Sequence, residues 1–457
     1  MNTRGEISPG GASKCAGPET MGGTGVAAGA QLRAWQRRVF WALWGAYASY
    51  YLCRVNFAVA QPALLEEFPE WTNVQIGSIP SVYAAVYAVG QLVNGTLGQR
   101  YGARRMMTGA LLLAAVTNVL FAFTSSLTAM RVLWALNGWG QSAGWSLMVQ
   151  AVSNWNTVER RGFLIGRLST CYQVGHVLSW LLAGTLCDSV GWRAAFLAPG
   201  LFTFPAAVVF FLLLRDSPAD AGLPAVRDDV EPRLSRSNES GHTEAAEAKA
   251  ASTGHILAHT LRNPVLWVLA LSSFVLNAIR YSFMNWSVQY MAEFHGRSIK
   301  DSVYTAIMIP LCGSVGAITA GWVSDRVFGR RRAPVCVLML AGVAVTCAAM
   351  TAVGPADWRA ATVLMGVAGF MIYGPDMLMS GAATVDLSHS KGASIATGLT
   401  MCLGALGAIF SGAGVGYLND VSRGNWSLVF WTLAVLPVVP ALLMATLWNA
   451  RPRDTAR

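Results

Sequence analysis

The sequence predicts an all-α integral membrane protein: twelve transmembrane helices in two pseudo-symmetric six-helix halves. Three observations lead there. The 457 residues are 54% hydrophobic and only 12% charged, with a mean hydropathy of +0.44, a composition foreign to soluble enzymes. Twelve apolar segments follow one another, most of them long enough for a span of about 20 residues. A single long hydrophilic stretch divides them six and six.

The segments fall near residues 38–62, 75–97, 106–124, 129–153, 163–186, 194–214, 264–291, 302–323, 333–352, 358–382, 394–417 and 426–449. Residues 1–35 lack an apolar run and read as a disordered cytoplasmic N-terminus rather than a secretory signal. Residues 36–215 and 263–450 form the two bundles, 216–262 the cytoplasmic linker and 451–457 a cytoplasmic tail. Short loops rich in arginine stay on the cytoplasmic side. Arg33, Arg37 and Arg38 precede segment 1, Arg100, Arg104 and Arg105 follow segment 2, Arg160 and Arg161 follow segment 4, and Arg326 and Arg330 to Arg332 follow segment 8. The loop after segment 1 instead carries Glu66, Glu67 and Glu70. Both termini are therefore expected in the cytoplasm, with the protein multi-pass in the inner membrane. The net charge of +10 reports this topology, and no nucleic-acid partner is expected. The eight cysteines show no paired spacing and read as small packing residues, with no metal site or cofactor implied. No Walker-type loop is present, and the chain is expected not to be an enzyme.

An internal repeat supports the two halves. After segment 8 the chain reads Gly321-Trp322-Val323-Ser324-Asp325-Arg326, then Gly329-Arg330-Arg331; after segment 2 it reads Gly95 to Arg100, then Gly102-Ala103-Arg104-Arg105, with Gln99 where the second copy has its aspartate. This loop resembles the signature of the major facilitator superfamily, whose halves rock about a central site. Arg100, Arg104, Asp325, Arg326 and Arg330 are candidate gating residues, able to hold a cytoplasmic gate through charge pairs and helix-end contacts.

The candidate binding site rests on Arg54 and Arg280, each about sixteen residues into the first segment of its half. An unpaired arginine at mid-membrane costs roughly 3 kcal/mol on lenient insertion scales, so a matched pair points to a bound anion. A guanidinium fork matches two phosphate oxygens and keeps its charge in a low dielectric. Residues three and four apart share a helix face, which gathers Tyr47, Tyr50, Tyr51 and Arg54 in segment 1, and Ser273, Asn277, Arg280 and Ser287 with Tyr281 in segment 7. Segment 2 offers Tyr83, Tyr87, Gln91 and Asn94, and segment 5 offers Ser169, Tyr172, Gln173 and His176. Asp376 is either a proton or ion-pair group or a residue at a cytoplasmic helix end. Polar side chains in spans also tie helices together for about 1 kcal/mol, an alternative open for each of these tyrosines and glutamines.

Several stretches resemble the organophosphate:phosphate antiporter family of that superfamily over about residues 36–450. These are Tyr50-Tyr51-Leu52-Cys53-Arg54-Val55-Asn56-Phe57; Arg215-Asp216-Ser217-Pro218 with Gly222-Leu223-Pro224; Asn263-Pro264, Arg280 and Asn285-Trp286; and Gly374-Pro375-Asp376-Met377-Leu378 with Asp386, Lys391 and Ala396-Thr397-Gly398. The resemblance implies that Arg54 and Arg280 bind substrate phosphate and that an organophosphate such as glycerol 3-phosphate, a sugar phosphate or a phosphoglycerate is exchanged for inorganic phosphate. Basic positions of the family appear here as Val55, Gln91, Tyr172 and Gln150, and Thr397 and Thr400 stand where hexose-phosphate carriers have an acid and a lysine, so fewer charges surround the site. Two alternatives remain. A few members sense external hexose phosphate through a membrane histidine kinase, and Ser388-His389-Ser390-Lys391 resembles their Ser-His-Lys stretch. The other is a proton-coupled facilitator using Asp376 or His176.

Overall fold

A computed structural model describes residues 21–224, 226, 262–382 and 393–449. Its regular structure is helical throughout these residues. In the first half the helices are α1 (Met21–Leu52), α2 (Asn56–Glu67), α3 (Asn73–Tyr101), α4 (Ala103–Phe123), α5 (Leu127–Gln141), α6 (Gly144–Trp155), α7 (Val158–Leu168), α8 (Thr170–Ser189) and α9 (Ala194–Leu213). The second half holds α10 (Pro264–Glu293), α11 (Ile299–Ala306), α12 (Met308–Arg326), α13 (Arg332–Met350), α14 (Trp358–Met377), α15 (Ala393–Val421), α16 (Trp426–Val435) and α17 (Val438–Ala445). Most of the expected linker, the extreme N-terminus and the tail lie outside the described residues, as do Asp386 and the segment Ser388 to Lys391.

Among the described residues, nine helical stretches are long and apolar enough to cross a membrane. The three expected spans that fall outside this set are 38–62, 129–153 and 163–186. Each is divided into two helices, α1/α2, α5/α6 and α7/α8. α9 is apolar around its whole circumference, with exposed Leu201, Phe202, Phe204, Val208 and Val209. α1 begins at Met21, inside the stretch expected to lack structure. Val26-Ala27-Ala28 and Gln31-Leu32-Arg33-Ala34 are mostly good helix formers, and adding residues to an existing helix costs far less than starting one.

α3 packs along α15, joining the halves, and α15 packs in turn along α10. The α3–α15 contact is made by bare backbone: a Cβ at Gly77 would lie 2.5 Å from the Gly412 carbonyl oxygen, and one at Gly416 would lie 2.3 Å from that of Asn73. Small residues permit this approach. The contact tightens toward the 68–72 and 422–425 loops, where Asp420 of the second half caps α3 of the first. Its Oδ1 accepts from Asn73 N at 3.0 Å and Asn73 Nδ2 at 2.9 Å, and its Oδ2 accepts from Val74 N at 2.9 Å. Thr72 and Gln75 complete a capping box on the same turn. Gln289 Nε2 donates to Asn73 Oδ1 at 2.7 Å, and Gln61 Nε2 donates to Gln289 Oε1. The end expected to be external is thus closed by a polar seal that spans both halves.

Candidate functional site

Arg54 does not sit in a continuous helix. Residues 53–55 separate α1 from α2, although none of the three is proline or glycine, the usual causes of a sharp break. A break frees backbone carbonyls, and inside a membrane each orphan costs several kcal/mol. Buried side chains from three neighbouring helices, α4, α5 and α8, supply the missing donors. Asn137 Nδ2 and Asn118 Nδ2 donate to the Cys53 carbonyl at 2.7 and 3.1 Å, and Gln141 Nε2 to the Tyr50 carbonyl at 3.0 Å. Trp180 Nε1 reaches the Val55 carbonyl at 3.1 Å and Ser179 Oγ the Leu52 carbonyl at 3.3 Å. Asn56 Nδ2 then ties α2 to Asn118 Oδ1 at 2.9 Å and to the Ala195 carbonyl at 3.0 Å. These residues escaped the sequence reading, which looked for groups that hold a ligand. Their signal was present all the same, as Asn118, Asn137 and Gln141 standing in apolar segments.

The break delivers the Arg54 guanidinium into an aromatic cage. Its carbon lies 4.7 Å from the Tyr87 ring centroid, 5.3 Å from Tyr51 and 5.7 Å from Tyr83, within cation–π range. Nη2 points at the Tyr281 hydroxyl from 3.5 Å. Among the described residues Arg54 has no carboxylate partner. Arg280 approaches the same tyrosine from the second half, 4.8 Å from its ring centroid. Tyr281 therefore stands between the two arginines, at the junction of the halves.

Arg280 departs from the expectation of an unpaired charge. Its Nη1 meets Asp376 Oδ2 of α14 at 2.5 Å, with the two side chains 21% and 18% exposed. Asp376 lies one residue before the end of α14, and there its carboxylate is the ion-pair partner of Arg280. Among the described residues the two arginines thus have one carboxylate between them, held by Arg280.

The other candidate residues divide into three groups. Tyr51, Tyr83 and Tyr87 contact Arg54, and Tyr172 packs 6.1 Å from Tyr51. His176 lies 6.1 Å from Tyr51 and 4.5 Å from Trp180, and its buried Nε2 has no hydrogen-bond partner. His176, Tyr83, Tyr87, Tyr281 and Asn285 line a cavity of about 70 Å³ beside Arg54, well below the roughly 300–1,000 Å³ of ordinary small-molecule pockets. A second group turns away. Tyr50 donates to the Met107 carbonyl at 2.9 Å within the first-half core. Asn94 Nδ2 ties α3 to the Trp139 carbonyl and Ser142 Oγ. Asn277 gives its amide to the Ser273 carbonyl at 2.9 Å and faces Gly404 of α15. In a low-dielectric interior an amide near a carbonyl is captured by it, and shared helical phase with Arg280 does not override that. Tyr47 lies one layer behind the cage, 5.8 Å from Tyr51 and 5.9 Å from Trp145. The third group, Gln91, Gln173 and Thr400, is partly or fully buried on α3, α8 and α15.

At the opposite end from the polar seal, the candidate gating residues make contacts inside their own halves. Asp325 Oδ1 pairs with Arg332 Nη1 at 2.6 Å. The Arg104 amide donates to Asp216 Oδ1 at 2.7 Å, its Nε donates to the Phe211 carbonyl at 2.7 Å, and its guanidinium stacks 4.0 Å from the Phe211 ring. Asp216, just beyond α9, thus serves the loop whose own acid is replaced by Gln99. It crowds Gly102, where φ is +81° and a Cβ would meet Asp216 Oδ2 at 2.5 Å, so glycine is required there. Arg100 lies 5.6 Å from the Tyr101 ring, Arg326 sits in the last turn of α12, and Arg330 takes a left-handed φ of 66°.

The profile of the Major Facilitator Superfamily matches residues 43–412. Curated relatives include a probable hexose phosphate transport protein of Chlamydia pneumoniae, 29% identical over 92% of this chain and 93% of its own length. Also similar are the membrane sensor protein UhpC of Salmonella typhimurium, 30% identical over 93% and 95% of the two chains, and the glycerol-3-phosphate transporter of Bacillus subtilis, 30% identical over 91% and 93%. Among solved structures, a bacterial homologue of the human lysosomal transporter Spinster, inward-facing and occupied, superposes with a TM-score of 0.76 at 13% identity, covering 92% of this chain and 99% of that one. With this fold, an arginine site between its halves and relatives of this kind over nine-tenths of its length, the chain belongs to the major facilitator superfamily and, within it, to the organophosphate:phosphate antiporter family.

Proposed function

We propose that this protein is an inner-membrane secondary transporter that exchanges a small organophosphate for inorganic phosphate by alternating access. One observation carries the reading: Arg54 and Arg280, one from each half, flank Tyr281 at the junction about which the halves would rock. The phosphoryl group is first received by Arg54, whose guanidinium has only aromatic neighbours and a phenol to give up. It then displaces Asp376 from Arg280 and draws the halves together. The unpartnered His176 Nε2 is placed to bond a phosphoryl oxygen or the organic part. The seal formed by Asp420, Asn73, Gln289 and Gln61 lies at the end that the arginine-poor loop after segment 1 assigns to the outside; in this reading the site opens toward the cytoplasm, the side on which the arginine-rich loops and both termini would lie. The loop contacts around Arg104 and Asp325, with Arg100, Arg326 and Arg330 nearby, must rearrange between halves when that side closes. An empty site leaves Arg54 without a counter-charge in a low dielectric, which favours return with an anion aboard and hence exchange.

Counterflow tests this. Proteoliposomes loaded with inorganic phosphate should take up labelled glycerol 3-phosphate, glucose 6-phosphate or 3-phosphoglycerate, and Arg54→Gln and Arg280→Gln should each abolish the uptake. Absence of counterflow with every organophosphate would overturn the proposal. The similarity to UhpC supports a second reading, a sensor that acts through a membrane histidine kinase. Growth on an organophosphate that persists after gene loss, with the kinase pathway bypassed, would favour the sensor.

A further inference from the structure

A second basic site lies far from the arginine pair. Between the middle turns of α1, the end of α6 and α7 is a cleft of about 720 Å³, lined by Arg33, Arg37, Arg160 and Arg167 with Trp41 and Phe163 among its walls, and by no carboxylate among the described residues. We propose that this cleft binds the phosphate-bearing headgroup of an anionic phospholipid from the cytoplasmic leaflet.

Four features carry the assignment. First, the side chains of Arg33, Arg37 and Arg160 have no ion-pair or hydrogen-bond partner among the described residues, whereas Arg104 and Arg332, in cytoplasmic loops of the same topology, are satisfied by Phe211 and Asp325. Positive-inside topology requires charge in these loops, but it does not require three guanidiniums to converge on a concavity. Second, Arg167 lies 5.3 Å from the Phe40 ring centroid and 5.7 Å from that of Phe163, which orients a guanidinium while leaving its N–H groups free for phosphate oxygens. Third, the apolar wall runs outward. Trp41 is 59% and Phe163 69% exposed, and Trp41 leads to Trp44 at 6.0 Å. An occupant with a phosphate and acyl chains uses both the arginines and these rings, whereas a soluble phosphate uses only the arginines. Aromatic rings at a membrane interface and basic pockets between helices on the cytoplasmic side are the features that recognise such lipids. Fourth, the cleft is pre-formed, because Gln36 Nε2 donates to the Trp155 carbonyl at 2.8 Å and Trp35 stacks on Trp155 at 5.9 Å, fixing α1 against α6.

The cleft is separate from the transport site. Fifteen residues of α1 divide Arg37 from Leu52, about 22 Å along the axis. It nevertheless touches the same helix, so an occupant would brace the lever on which Arg54 is carried.

Native mass spectrometry in a neutral detergent tests the assignment, with phosphatidylglycerol, phosphatidylcholine, inorganic phosphate and glucose 6-phosphate as probes. The wild-type protein should retain phosphatidylglycerol in preference to phosphatidylcholine. Each arginine lost should weaken that retention about fivefold, so Arg37→Gln/Arg160→Gln should lower it about 25-fold. Arg105→Gln/Arg359→Gln, with the same charge change elsewhere, should leave it unaltered, and single Arg160→Gln serves if the double variant fails to fold. Equal retention of the two lipids, or equal loss in both double variants, would overturn the proposal. So would displacement of phosphatidylglycerol by inorganic phosphate or glucose 6-phosphate, which would assign the cleft to a soluble anion.

Discussion

Replacing Asp376 by asparagine should tighten phosphate binding while slowing exchange. The carboxylate and the Arg280 guanidinium are in contact at 2.5 Å and each about one-fifth exposed. Opposite charges with centres about 4 Å apart attract by about 4 kcal/mol at an effective dielectric of 20. Residual exposure and the hydrogen bond an asparagine amide oxygen still accepts reduce the competition removed to about 2 kcal/mol, roughly a thirty-fold fall in Kd. Titration calorimetry with inorganic phosphate on Asp376→Asn and wild-type protein in the same detergent reads this directly. Proteoliposome exchange should fall in the same variant, because the group that reclaims Arg280 and expels the anion is gone. An unchanged or weaker affinity would refute the reasoning, since Asp376 would then be a support for Arg280 rather than the competitor of its ligand.

Asp420→Asn removes the charge that caps α3 across the halves and should shift the protein toward outward-open states, read as greater reactivity of an external-side cysteine probe placed near Asn73; unchanged reactivity would show that the glycine contact holds the seal alone. Asn137→Leu leaves the Cys53 carbonyl with one donor and should cost about 1–3 kcal/mol of stability, seen in thermal unfolding together with weaker phosphate binding as Arg54 is released. Glu67, beyond the first span, is held below the usual carboxylate range chiefly by its hydrogen bond from Arg193, with Trp192 adding to it. A depressed carboxylate stabilises the fold above the unfolded pKa of about 4.3 and ceases to do so as pH falls through the folded value. Glu67→Gln should therefore flatten the acid limb of a thermal-shift series below about pH 4.5.

The architecture was legible because long apolar runs and arginine-rich loops leave few alternatives, and the arginine pair was legible because charge at that depth is expensive. What escaped the sequence depended on contacts between distant segments. Helical phase put Tyr50 and Asn277 on the same faces as Arg54 and Arg280, yet carbonyls of Met107 and Ser273 claimed them. No local breaker marks residues 53–55, since the break is stabilised from Asn118, Asn137, Gln141 and Trp180, 60 to 130 positions away. Asp376 was visible as an acid in a span, but its pairing with Arg280, 96 positions off, required the fold.

The bare-backbone meeting of α3 and α15 sets how the closed end behaves in time. Gly77, Gly412 and Gly416 have no side-chain torsions to freeze when the halves meet or to release when they part. The closed state is therefore reached without the ordering penalty of an interdigitated side-chain interface, and its hold depends on a few polar contacts that water can replace one at a time. A junction of this kind favours frequent passage between states over long residence in either, which suits a protein whose output is counted in cycles.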